Sequence, residues 1–164
     1  MSNPDLTKAG LLSAVIAQVE AKLAELRAGY GSARDATLSA PHVMKGKREV
    51  FGQEAAYLAN ALALNVQERE LELRTLRVLR LPAHAERVTL GSLVGVKTEE
   101  QPETFYLLLP VCGGMEIPSS EGGPTVRVLT PAAPAAKALL GKEVGDEVAL
   151  PTTPPRAATV TFLI

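Results

Sequence analysis

Pro134-Ala-Ala-Lys137-Ala-Leu-Leu-Gly141-Lys142-Glu-Val-Gly145-Asp146-Glu-Val148 is the stretch from which the fold of the second half can be read. Its first part has the spacing of a short amphipathic helix, Ala135 to Leu140. Gly141 suits a left-handed cap, because no Cβ clashes there. Gly145-Asp146 reads as a turn into a strand from Glu147 to Leu150. On either side, Val88 to Val96, Thr104 to Val111, Thr125 to Leu129 and Thr159 to Ile164 are short β-type runs separated by Gly, Pro and polar clusters. Residues 86–164 are therefore predicted to form a small α+β domain with a mostly antiparallel sheet and one short helix.

Upstream the period changes. Leu12, Ile16, Val19, Leu23 and Leu26 alternate spacings of four and three, which places them on one helical face with the period of a supercoiled seam. Asn3 or Asp5 can cap this helix, and Gly29-Tyr30-Gly31 is expected to end or fray it. A second helix is predicted from about Glu49 to Leu79, with Leu58, Leu62, Val66, Leu73 and Leu76 on one face and Pro82 as its stop. Neither helix can bury its stripe alone. Residues 1–80 are read as a projecting antiparallel coiled-coil hairpin, the joint lying at 79–86. A helical pair folded back over the second half, or a seam used in dimerisation, are the alternatives. The segment of about residues 30–48 would be the tip, with His42, Lys45, Lys47 and Arg48 as a basic cluster beside Pro41.

Composition narrows the function classes. Hydrophobic residues are 46%, charged residues 21% and aromatics only 4%, with no Trp, so the core is built from Leu, Val and Ala. Stacking platforms for single-stranded nucleic acid are not expected. A formal net charge of -1 argues against a general nucleic-acid coat protein. The single Cys112 excludes an internal disulfide and a cysteine zinc site, and is read as a packed or half-buried structural residue. No apolar run reaches the length of a membrane span, and Met1 to Thr7 lack a signal-peptide pattern, so a cytoplasmic protein without a membrane role is expected. Gly141-Lys142 is no phosphate loop, because the position five residues before Gly141 is Ala136. His42 and His84 lie far apart in sequence, and no Ser–His–Asp set is legible.

The run from Pro134 to Val148 resembles the C-terminal signature of the GreA/GreB transcription elongation factors, and Val88-Thr-Leu-Gly91-Ser92-Leu-Val94 resembles that family's opening strand. The likeness covers residues 86–164; the helices match in length and position rather than in letters. It implies an N-terminal coiled coil and an FKBP-like C-terminal domain. It implies RNA polymerase as partner, with the second domain on the rim of the secondary channel and the hairpin tip near the active centre, where indirect contact with RNA arises. The docking loop would be Ala132, Ala133, Pro134, Ala135 and Lys137. In the family, two acidic tip residues help hold a magnesium ion while the polymerase cleaves backtracked RNA.

Here the tip departs from that pattern. Val50-Phe-Gly-Gln53-Glu54-Ala55-Ala56-Tyr57 is the best local match, and the acidic positions fall on Val50 and Gln53. Neither supplies the charged oxygen that a hard cation wants. The loop departs too, since Ala132-Ala133 replace an acid and a serine. The chain is expected to be a non-enzymatic, monomeric regulator that binds polymerase without stimulating cleavage and needs no cofactor. Competing readings are a cleavage-stimulating factor using displaced carboxylates such as Asp35 and Glu49, an FKBP-like prolyl isomerase, and a homodimeric coiled-coil scaffold. The isomerase is disfavoured because only Phe105, Tyr106 and Phe162 could line an aromatic pocket. Asp35, Glu49 and Glu54 are read as caps or solvated charges rather than a metal set, and Tyr57 as seam packing.

Overall fold

The structure is a computed structural model that describes residues 7–38, 45–118 and 123–164. Two long helices, α1 (Lys8–Leu38) and α2 (Lys45–Val78), are followed by a mixed six-stranded sheet and one short helix. The chain divides into two compact units: Ile16–Arg74, and Met1–Val15 together with Thr75–Ile164.

In the helical unit Arg27 Nη2 reaches Glu70 Oε1 at 2.6 Å, and a Cβ placed on Gly29 would lie 4.0 Å from Leu62 Cδ1. These contacts run in opposite senses along the two helices, which are therefore antiparallel. α1 does not end at Gly29-Tyr30-Gly31 but continues to Leu38. Two glycines cost a helix about 1 kcal/mol each relative to alanine. Packing offsets that cost, for Gly29 faces Leu62 and Ala33, beyond both glycines, is buried. α2 likewise begins before Glu49, at Lys45.

The buried row of α1 also differs from the expected one. Leu11, Val15, Val19 and Leu23 are buried, whereas Leu12, Ile16 and Leu26 are half-buried. The sequence offers two adjacent apolar rows, and the packing partner chooses between them. On α2, Leu73 and Leu76 are buried and Leu62 and Val66 half-buried, but Leu58 is exposed. At roughly 100° per residue, Leu58 stands about 60° off the line of Leu73.

In the other unit the sheet order is β3-β4-β2-β1-β6-β5. The strands are β1 (Leu93–Lys97), β2 (Thr104–Leu108), β3 (Glu116–Pro118), β4 (Thr125–Leu129), β5 (Glu147–Leu150) and β6 (Arg156–Leu163). Only β2 and β4 pair in parallel. The β-type run from Val88 starts as a turn, because Ser92 N donates to Thr89 O at 3.1 Å and Thr89 N donates to Ser92 Oγ at 3.1 Å. The Thr104 run ends as a strand at Leu108 rather than Val111, and β6 begins three residues before Thr159 because Ala157 pairs with Ala149. β3 was not legible in the sequence. It is a three-residue edge strand ending in Pro118, where a missing N–H is tolerated.

Alternation sends Val94, Val96, Leu108, Leu129, Val148, Leu150, Ala158 and Val160 into one cluster with Ala136 and Leu139 of α3 (Pro134–Leu139). On the opposite face Leu93, Phe105, Leu107, Ile117, Val126 and Val128 are all buried. There Phe105 and Phe162 meet edge to face, with ring centroids 6.1 Å apart. Gly95 lies between them in register, and a Cβ on it would come within 2.9 Å of Phe162 Cβ and of Glu103 Oε1. Lys8 is buried in this unit. Its ammonium donates to the Pro82 carbonyl, and desolvation lowers its pKa.

Two glycine substitutions should act in opposite directions. Gly31→Ala adds a methyl with nothing within 4 Å of it and should stabilise the helical unit. The expected gain is about 0.5–1 kcal/mol. Gly95→Ala should destabilise the sheet unit by about 1–3 kcal/mol, since Phe162 must shift to admit it. Urea denaturation followed by circular dichroism reads both; a neutral Gly95→Ala would contradict the packing described.

Candidate functional site

The stretch that resembles a docking loop is built from local rules. Ala133 N donates to Thr130 O at 2.9 Å and closes a turn over Pro131 and Ala132. Ala133 is extended (φ -65, ψ 137), as a residue before proline prefers. Pro134 then opens α3, where its missing N–H costs nothing. Lys137 N donates to Ala133 O at 3.0 Å and Leu140 N to Ala136 O at 2.9 Å, bonds that bracket the short helix.

Burial splits α3 in two. Ala136 and Leu139 are fully buried, and Ala133 and Ala135 are half-buried against the same cluster. Ala132, Pro134 and Lys137 are exposed. Gly141 has φ 79 and donates its N–H to Val88 O at 2.9 Å, while Val88 N donates to Lys142 O at 2.8 Å. Asp146 Oδ2 accepts from Glu143 N at 2.9 Å, and Gly145 (φ 95) donates to Val160 O. Asp146 is thus a turn-closing residue, and the Gly-Asp pair delivers the chain into β5.

The sequence reading missed the exposure of two apolar residues that follow this helix in sequence, Leu140 and Val144. A signal for Leu140 existed in the Leu139-Leu140 doublet. Neighbours on a helix differ by about 100°, so a one-sided core takes only one of them.

The residues assigned to the hairpin tip belong to the helical unit. His42 lies outside the described residues, as do the side chains of Lys45, Lys47, Arg48 and Glu49. Val50 and Gln53 are exposed on α2, with Glu54 beside them, and Asp35 is exposed on α1. Among the described residues no group of three or more His, Cys, Asp or Glu stands together as a metal site. Tyr57 is not seam packing: it is 81% exposed. Cys112 is buried, as read from the sequence.

Displaced protonation occurs on the sheet. Burial raises the Tyr106 pKa against the opposing field of Arg127. The hydrogen bond to Glu116 raises that of Arg127, whose Nη2 lies 2.6 Å from Glu116 Oε1. This pair ties edge strand β3 to β4, a cross-strand role.

No protein-family model and no curated protein matches the chain. Among solved structures it is similar to GreA factor homolog 1 (Gfh1) of Thermus thermophilus, at 19% identity over 91% of this chain and 94% of that one, with a TM-score of 0.37. A structure of the transcription factor Gfh1 is 22% identical over 92% and 93% of the two chains, with a TM-score of 0.41. The GreA/GreB elongation factor of Nitrosomonas europaea is 20% identical over 68% of this chain and 91% of that one, with a TM-score of 0.34. Among the described residues no helix is long and apolar enough to cross a membrane.

The two faces of the α3 region predict opposite responses. Leu139→Ala should cost about 2–5 kcal/mol of stability, the usual range for a buried leucine. Leu140→Ala should stay within about 0.5 kcal/mol of the parent, as surface changes do. Equal losses in thermal or chemical denaturation would show that the division between core and surface is drawn wrongly.

Proposed function

We propose that the chain is a Gre-like regulator of transcription elongation that binds RNA polymerase at the secondary channel and does not stimulate transcript cleavage. The second part, residues 86–164, is the FKBP-like docking module, and residues 1–80 form the hairpin that enters the channel. The acting species is a cytoplasmic monomer.

The observation that carries the reading is the run from Pro134 to Val148, where the letters resembling the family's docking region coincide with a surface. Ala132, Pro134 and Lys137 are exposed there and Ala136 and Leu139 anchor them from below. The docking set is Ala132, Ala133, Pro134, Ala135 and Lys137, with Leu140 and Val144 adding apolar area.

The absence of cleavage stimulation follows from charge. Holding a second magnesium ion requires carboxylates at the tip, and the corresponding positions are Val50 and Gln53. Lys45, Lys47 and Arg48 lie just before them in sequence and repel a dication. They favour an anion instead, either RNA phosphate or the carboxylates of the polymerase active centre.

The test is a pull-down with the cognate polymerase followed by an RNA cleavage assay on stalled complexes. The protein should bind, fail to release cleaved transcript, and compete with a cleavage-competent Gre factor, the competition weakening as salt rises. Pro134→Glu should weaken binding roughly tenfold by placing an unpaired charge in the contact. Replacing Lys45, Lys47 and Arg48 by Ala should relieve inhibition several-fold while docking persists. Magnesium-dependent cleavage by the parent protein would restore the catalytic reading with Asp35 and Glu49, and unaltered binding by Pro134→Glu would displace the docking surface.

A further inference from the structure

We draw no further inference here: the strongest candidate, the exposed apolar row Val50, Tyr57, Leu64, Leu71 and Val78 on the outer side of α2, carries none, because nothing in the structure shows what covers it.

Discussion

Ala136 and Leu139 have no exposed surface, and the cluster that receives them draws side chains from β1, β2, β4, β5 and β6. Their burial governs the rest of the sheet unit. It pins a helix of only six residues, too short to persist in water by its own hydrogen bonds. Because α3 is pinned, Pro134 and Lys137 have a definite direction, outward. Because its end is pinned, Gly141 can reach the Val88 carbonyl and tie the start of the unit to its last third. The surface that carries the functional reading is thus a by-product of a core contact.

The helical unit obeys a different constraint. A helix in a two-helix hairpin has one neighbour, so only one of its sides is covered. α2 nevertheless carries apolar residues on two sides, with Leu62, Val66 and Leu73 toward α1 and Tyr57, Leu64 and Leu71 away from it. Stability of the hairpin does not explain the outer row. Long exposed side chains of this kind are retained for contact with another molecule or else work against solubility.

Charge divides the chemistry between the two units. Around α3 the exposed surface is small and mostly uncharged, with Lys137 the only cation among Ala132 to Leu140. Such a patch suits docking by shape. Near the start of α2 the sequence is basic, with Lys45, Lys47 and Arg48, and Val50 and Gln53 that follow carry no charge. A segment of this sign attracts anions and repels a dication.

Much of this was legible from the letters alone. The change from a helical to a strand period placed the two parts, and Pro134, Gly141 and Gly145 punctuated the α3 region as the structure has it, because proline and glycine act through their own backbone geometry. Local signals failed where packing outweighed them. Gly29 and Gly31 weaken a helix locally, yet α1 runs through both because its far end gains Ala33 as a buried contact. The choice of Leu11 and Val15 over Leu12 and Ile16, the edge strand Glu116–Pro118, and the exposure of Leu58, Tyr57 and Leu140 were likewise decided only by tertiary structure. The physical reason is common to them. A sequence records which residues would gain from burial, but there is room inside for only some, and which ones enter depends on the neighbour that the rest of the chain brings to each face.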